Sequence, residues 1–283
     1  MKLELKKFNV RNIDPNSVIV MIGKRATGKS FLIRDILHNM KNVPVGVVIS
    51  GTERANKFYE SIVPKMFIYD DYANEIVKKL LDRQEKITNQ YKSEVTKYGR
   101  SDIDPRAFLI LDDCLYDSAW TRDKSMRYVF MNGRHLLLNH IIISMQYPLG
   151  IGPAMRTNID YVFILRENIM SNRRRIYENY AGMFPTFEFF NAVMDNCTEN
   201  YEMLVIANNS KSNKLEDQVF WYRSESHQDF KVCCNEFWDM QTMEDERRQM
   251  GIVDDDDEEN YDEAMARSKK SKLPPLRVKK SSY

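Results

Sequence analysis

The chain has 283 residues, of which 43% are hydrophobic, and its formal net charge is +1 at pH 7. This composition is sufficient for a hydrophobic core, and a charge so close to zero does not by itself indicate nucleic-acid binding. Four of the first seven residues are charged, no apolar run is long enough to span a membrane, and the four cysteines form no CxxC pair. We therefore expect a protein of a reducing compartment that is neither secreted nor membrane-inserted and has no zinc site or disulfide framework.

Short apolar runs separated by helical patterns predict a mainly parallel α/β sheet. The predicted strands cover residues 17–22, 45–50, 107–111, 141–145 and 160–165. Two further runs, at 202–207 and 219–222, predict strands that close one edge of the sheet. Residues 72–98 predict a long exposed helix before the third strand, and this helix could contact a partner subunit.

The first predicted strand runs directly into the motif GxxxxGKS and then into an amphipathic helix, the arrangement of a P-loop. Glycines at both ends of the motif let the backbone N–H groups approach phosphate oxygens. Lys29 would meet the β- and γ-phosphates of ATP, and the hydroxyl of Ser30 would bind Mg²⁺. The predicted nucleotide-binding residues are Gly23, Lys24, Arg25, Ala26, Thr27, Gly28, Lys29 and Ser30.

A triphosphatase also needs acids at the end of a buried strand, and the run 107–111 leads into Asp112 and Asp113. We predict that Asp112 holds Mg²⁺ and that Asp113 orients or deprotonates the attacking water. The run ending in Asp70 and Asp71 is the rival, but it is shorter and contains a tyrosine. Its acids would otherwise be a solvated strand end or a helix cap.

The predicted strand at 141–145 has a functional candidate on either side. Gln146 follows it, where ligands of open α/β sheets bind, and could contact the γ-phosphate or the water. Arg134 precedes it and could reach a neighbouring subunit's nucleotide as an arginine finger. The plain alternatives are a strand-end polar residue for Gln146 and a surface salt bridge for Arg134.

The order of these motifs along residues 15–222 resembles that in the FtsK–HerA-type DNA-pumping ATPases. The motifs are, in turn, the phosphate loop, the paired acids, Gly133–Arg134, Gln146 and the segment 156–163. The segments 111–113, 132–135 and 143–148 look most like the poxvirus-type virion DNA packaging ATPases of large nucleocytoplasmic DNA viruses. The resemblance implies a RecA/FtsK–HerA-like P-loop fold and a homo-oligomeric, hexameric ring that threads double-stranded DNA into a capsid. Two departures are an aspartate, Asp113, where glutamate is common, and no room for a winged-helix module.

The chain is predicted to divide into an ATPase domain, residues 1–243, and a disordered tail, 244–283. The tail begins acidic, with an unbroken run from 254 to 259, and ends basic, so it cannot bury enough apolar surface to order itself. The basic run Arg173–Arg175 could line a ring pore and contact DNA phosphates, or it could be a solvated helix face pairing with Glu167 or Glu178.

The function predicted from these features is ATP hydrolysis, with Mg²⁺, coupled to movement of double-stranded viral DNA. Capsid or portal proteins would be partners, and the site of action would be the host cytoplasm, in a viral factory, and the virion. Two alternatives stay open. One is a P-loop nucleotide or polynucleotide kinase with Arg173–Arg175 as its lid, and the other is a capsid-assembly adaptor that uses nucleotide as a switch.

Overall fold

The computed structural model describes residues 3–114 and 119–250, and the chain divides into two units, residues 1–234 and 235–283. The strands are β1 (Lys6–Lys7), β2 (Ser17–Ile22), β3 (Val45–Ser50), β4 (Ile68–Tyr69), β5 (Ala107–Asp112), β6 (Leu138–Met145), β7 (Tyr161–Ile164), β8 (Glu202–Ala207) and β9 (Val219–Arg223). The helices of the first unit are α1 (Lys29–Asn39), α2 (Glu53–Asn56), α3 (Asn74–Tyr98), α4 (Ala119–Arg122), α5 (Lys124–Asn132), α6 (Pro153–Arg156), α7 (Met170–Tyr180), α8 (Phe187–Cys197) and α9 (Leu215–Gln218). The second unit contributes α10 (Asn235–Gln249).

All nine strands belong to one mixed sheet in the order β1-β9-β8-β7-β2-β6-β5-β3-β4. The pairs are parallel except for β8, which runs antiparallel to both β7 and β9. Strands β2, β3, β5, β6 and β7 are buried at every position, as expected of parallel strands covered on both faces. The predicted α/β P-loop fold is confirmed.

One detail of the predicted sheet is wrong. The strand β9 does not close an edge, because the short strand β1 pairs with its outer side. The strand β6 pairs with both β2 and the acid-bearing strand β5 and lies between them. The carboxyl ends of β2, β6, β5 and β3 nevertheless meet along one side of the sheet, which we call the carboxyl edge. The opposite side, where these strands begin, is the amino edge.

The predicted exposed helix at 72–98 is helix α3, but its first four turns are packed into the protein. Val77, Leu80 and Ile87 are buried, and so is the polar Gln84. The Gln84 side-chain amide donates to the carbonyl oxygens of Pro105 at 2.9 Å and Leu136 at 2.8 Å, which satisfies backbone groups at the amino edge. Only the last part of α3 is a solvent-facing helix.

The predicted domain boundary at residue 244 falls inside α10, which continues to Gln249. Residues 244–249 are therefore helical, and Glu244 pairs with Arg248 one turn away, a spacing that supports a helix. The remainder of the predicted disordered tail, 251–283, lies outside the described residues. Within the described ranges, no helix is both long and apolar enough to cross a membrane.

Candidate active site

The phosphate loop connects the end of β2 to the start of α1, and its two glycines are required by its shape. Gly28 has φ +106°, a left-handed conformation that disfavours side chains. A Cβ on Gly23 would lie 2.8 Å from the Cβ of Leu165 and 2.7 Å from Oγ1 of Thr27. The loop therefore needs glycine at both ends, and it delivers the first turn of α1, with its free N–H groups, to the carboxyl edge.

Lys29 is the first residue of α1, and its side chain is held inside the loop. Its Nζ donates to the carbonyl oxygens of Gly23 at 2.8 Å and Lys24 at 3.0 Å. Burial lowers the pKa of Lys29, while the carboxylates of Asp113 and Asp112 act in the opposite direction. The amine is thus a buried charge at the place where a P-loop holds phosphates.

The two acids after β5 occupy different environments. Asp112 is buried and accepts a hydrogen bond from the hydroxyl of Tyr59 at 2.9 Å, and burial raises the pKa of its carboxyl group. Asp113 has φ +52°, a left-handed conformation that aspartate tolerates. Its Oδ1 lies 3.9 Å from Nζ of Lys29 and has no hydrogen-bond partner among the described residues. The structure therefore brings both acids to the phosphate loop.

The rival acids Asp70 and Asp71 are at the far edge of the sheet. They follow β4, which is separated from β2 by β3, β5 and β6. Oδ2 of Asp70 pairs with Nε of Arg54 at 3.2 Å, and both side chains are exposed. Neither acid is therefore near the loop.

Gln146 and Arg134 lie on opposite edges of the sheet. Gln146 is half-buried directly after β6, next to Met145, whose carbonyl oxygen accepts from the N–H of Gly23 at 3.0 Å. Arg134 is exposed in a short helix before β6, so a whole strand, about 25 Å long, separates it from its own loop. Gln146 is therefore placed with the loop and the acids, whereas Arg134 could act only on a neighbouring subunit's site.

The run Arg173–Arg175 lies on α7 and makes contacts within the protein. Arg173 is buried, and it donates to the carbonyl oxygen of Glu167 at 2.6 Å and to the side chains of Asn191 and Asp195. Arg174 lies 4.2 Å from the ring centre of Phe187, and Arg175 donates to Oδ1 of Asn172 at 3.0 Å. The predicted pairing of the run with the Glu167 carboxylate is replaced by a contact to its backbone.

Sequence analysis missed three residues that support the site. Glu167, after β7, pairs with Nζ of Lys24 at 2.8 Å and so ties the loop to the next connection. Burial would raise the pKa of Glu167, but hydrogen bonds from Lys24, the N–H of Ile169 and Asn172 hold it below its usual value.

Glu53 and Tyr59, which follow β3, are the other two missed residues. Oε1 of Glu53 accepts from the N–H groups of Tyr59 at 2.8 Å and Glu60 at 3.0 Å, and burial raises the pKa of Glu53. Its Oε2 is buried and has no hydrogen-bond partner among the described residues. The position of β3 among the parallel strands could have indicated Glu53, because ligands bind at the carboxyl ends of such strands.

The residues at the carboxyl edge fit a nucleotide with Mg²⁺. The buried Lys29 amine and the N–H groups of the loop suit phosphate, and Oδ1 of Asp113, which has no hydrogen-bond partner among the described residues, lies 3.9 Å from that amine. Ser30 and Asp112 would supply hard oxygen ligands of the kind that Mg²⁺ uses together with substrate phosphates. In the described part of the chain, no group of three or more His, Cys, Asp or Glu side chains forms a metal cage.

Comparison with known proteins gives related sequences and a related fold. The pCW3 conjugation coupling protein TcpA, solved with ATPγS, superposes with a TM-score of 0.53 at 13% identity over 80% of this chain and 65% of that one. The uncharacterized protein L437 of Acanthamoeba polyphaga mimivirus is 38% identical over 240 residues, covering 84% of this chain and 83% of that protein. The uncharacterized protein 075L of Invertebrate iridescent virus 6 is 40% identical over 246 residues, covering 82% and 91%. No protein-family model matches.

The chain belongs to the family of these viral proteins. The P-loop fold implied by the resemblance in the sequence motifs is confirmed, because TcpA shares it. Because the solved fold is shared at low identity, it supports the architecture of this viral family but assigns no role to individual side chains.

Proposed function

We propose that this protein binds ATP with Mg²⁺, hydrolyses it, and uses the hydrolysis to move double-stranded viral DNA into a capsid. The observation that carries the proposal is the meeting of Lys29, Asp112 and Asp113 at the carboxyl edge, with 3.9 Å between the Lys29 amine and Oδ1 of Asp113. A phosphate-binding cation beside a carboxylate oxygen that has no hydrogen-bond partner among the described residues suits hydrolysis of a terminal phosphate.

Each side chain then has a separate task. Lys29 neutralises the β- and γ-phosphates, and Ser30 and Asp112 hold Mg²⁺, which when bound withdraws charge from the phosphate oxygens. Asp113 accepts a proton from the attacking water or orients it, and Gln146 hydrogen-bonds the water or the terminal phosphate. The strand β6 supports this assignment, because it lies between β2 and β5 and Gln146 directly follows it.

Movement of DNA rests on different support from hydrolysis. The order of motifs resembles DNA-pumping ATPases, and the relatives belong to a mimivirus and an iridescent virus. We propose a homo-oligomeric ring, hexameric by resemblance, in which Arg134 of one subunit completes the site of the next. The ring would act in the host cytoplasm, at the viral factory, and dock on a capsid or portal protein.

The kinase alternative has no support from the arrangement of its lid. A lid must move to clamp a transferred phosphoryl group, but Arg173 is buried and paired with Asp195 at 2.6 Å. Arg174 and Arg175 also contact side chains of their own unit. The fold does not distinguish the adaptor alternative from a motor, so the rate of hydrolysis has to test it.

The test is a phosphate-release assay on the purified full chain with and without long duplex DNA, beside sizing with a nonhydrolysable ATP analogue. We expect Mg²⁺-dependent hydrolysis that long DNA accelerates, and a larger assembly with the analogue. Lys29→Ala is the control and should reduce hydrolysis to background. Transfer of the γ-phosphate to an added nucleotide or polynucleotide would indicate a kinase instead, and slow hydrolysis indifferent to DNA would indicate the adaptor.

A further inference from the structure

An exposed tyrosine lies beside the phosphate loop and has no part in the chemistry described above. Tyr201 lies between α8 and β8, and about 65% of its surface is exposed. A Cβ placed on Gly28 would lie 3.6 Å from Cδ1 of Tyr201, so the edge of the ring lies one methyl group's reach from the last residue before α1. A large aromatic ring is therefore presented to solvent beside the place where a P-loop holds phosphates.

The backbone that carries this ring is strained. The N–H of Glu202 donates to the carbonyl oxygen of Glu199 at 2.8 Å, which closes a four-residue turn. The two central residues, Asn200 and Tyr201, have φ +52° and +63°, the left-handed values of a type I′ turn. Glycine is the residue that this second central position favours, and a bulky side chain there is an outlier. Strain of this kind is held preferentially at functional sites.

A second exposed aromatic side chain adjoins the same turn of α1. Phe31 follows Ser30 and is also about 65% exposed. A helical side chain leans towards the N-terminus of its helix, so Phe31 is directed towards the start of α1. Two uncovered aromatic side chains thus border the start of α1.

We propose that Tyr201, together with Phe31, is the stacking surface for the base of the bound nucleotide. The proposal rests on the proposed function, because it takes the triphosphate to be held by the loop. Aromatic rings bind bases through their faces, and each such stack contributes measurably to affinity. The ring at Gly28 would fix the nucleoside end while Lys29 and Ser30 fix the phosphates.

The experiment compares ATP with a ligand that has no base. Binding of Mg²⁺–ATP and of Mg²⁺–tripolyphosphate to the full chain is measured by calorimetry for the wild type, Tyr201→Ala, Tyr201→Phe and Tyr201→Gly. We expect Tyr201→Ala and Tyr201→Gly to weaken ATP binding about 10-fold and to leave tripolyphosphate binding unchanged. Tyr201→Phe keeps the ring and should bind ATP normally. Tyr98→Ala is the matched control, because Tyr98 is equally exposed at the end of α3, outside the loop.

The thermal stability of Tyr201→Gly separates a stacking role from a packing role. Glycine relieves the left-handed strain, so the Tm should not fall although ATP binding weakens. Equal losses for ATP and tripolyphosphate, or no loss for either in Tyr201→Ala, would overturn the base-stacking proposal. If the wild type binds neither ligand, the proposed nucleotide function itself fails, an outcome distinct from a failure at Tyr201 alone.

Discussion

At the amino edge of the sheet, polar side chains complete the hydrogen bonding of the backbone, whereas at the carboxyl edge two buried carboxylate oxygens have no hydrogen-bond partner among the described residues. Oδ2 of Asp160 accepts from the N–H of Val18 at 2.8 Å, and Gln84 donates to two carbonyl oxygens. By contrast, Oδ1 of Asp113 and Oε2 of Glu53 have no hydrogen-bond partner among the described residues.

This difference indicates what each edge does. A buried polar group without a partner costs about 1–3 kcal/mol, so a fold carries such groups where a ligand, water or ion completes them. The amino edge uses its polar side chains to fix strand ends, and the carboxyl edge keeps some of its own available for chemistry. Two residues test this division from the amino edge, Arg134 and His140, and Asp113 tests it from the carboxyl edge.

The strongest challenge to the division is Arg134, an amino-edge residue for which we predict a catalytic role in a neighbouring subunit. Arg134→Ala should bind ATP normally and lower turnover by about 10³–10⁵, because a finger stabilises transition-state charge and adds little ground-state affinity. The measurement is steady-state phosphate release beside equilibrium nucleotide binding. Arg127→Ala, an exposed arginine on the preceding helix α5, is the control and should leave turnover unchanged.

Mixing distinguishes a finger in trans from one in cis. Subunits with Arg134→Ala keep an intact phosphate loop, and subunits with Lys29→Ala keep an intact finger, so a mixed ring has some boundaries with both halves of the site. Partial recovery of hydrolysis from two inactive proteins is the expected outcome. If subunit exchange is demonstrated and the mixture stays inactive, the trans role of Arg134 should be abandoned.

At the carboxyl edge, Asp113→Asn should separate binding from hydrolysis. Asp112 still holds the metal, and only the carboxylate that acts on water is lost, so turnover should fall by about 10²–10⁴ with ATP binding retained. The checks are single-turnover hydrolysis and binding of a nonhydrolysable analogue. Asp70→Asn introduces the same change at the rival acid, and a loss of turnover there with an active Asp113→Asn would show that the acids after β4 are the catalytic ones.

His140, near the start of β6, departs from the satisfied pattern of the amino edge. Its Nδ1 is buried without a hydrogen-bond partner among the described residues, and burial lowers the pKa of His140 to about 4. The unfolded chain takes up a proton near pH 6.5, so His140 should reduce the free energy of unfolding as pH falls from about 6.5 towards 4. The loss should reach about 2 kcal/mol by pH 5.

The measurement is urea unfolding of the wild type and His140→Leu at pH 7.5 and pH 5. Glu53, Asp112 and Asp160 have pKa values raised chiefly by burial, so they act with the opposite sign, but both proteins share them. The difference between the two proteins therefore isolates His140, and the variant should lose less stability on acidification. Parallel pH profiles would show that the folded protein protonates His140 without cost.

The parts of the molecule that were predictable from sequence are those with a local signal. Seven strands follow from buried apolar runs, and the loop from 23 to 30 follows from a motif whose glycines fix its shape. The two-residue strand β1 is too short to show a pattern, and β4 lies within the short apolar run that ends in Asp70 and Asp71. Two other features depend on contacts between distant segments, which no local pattern encodes. These are the position of β6 between β2 and β5 and the pairing of Arg173 with Asp195.

The smallest effect is expected from removing the C-terminal end of the chain. Deleting residues 251–283 should leave the Tm and the basal ATPase rate unchanged, because an acidic block followed by a basic block contributes no apolar core. The deletion begins after α10, so the helix that ends at Gln249 is kept. Thermal melting and phosphate release check this, and DNA-stimulated turnover is the more sensitive readout, since basic residues add salt-dependent affinity for DNA.

Deleting only 264–283 removes the basic part and keeps the acidic run. If both deletions change DNA stimulation in the same way, the change is assigned to the basic residues. A clear fall in Tm for the longer deletion would instead mean that this segment packs on the folded protein, and the prediction of a disordered tail would be wrong.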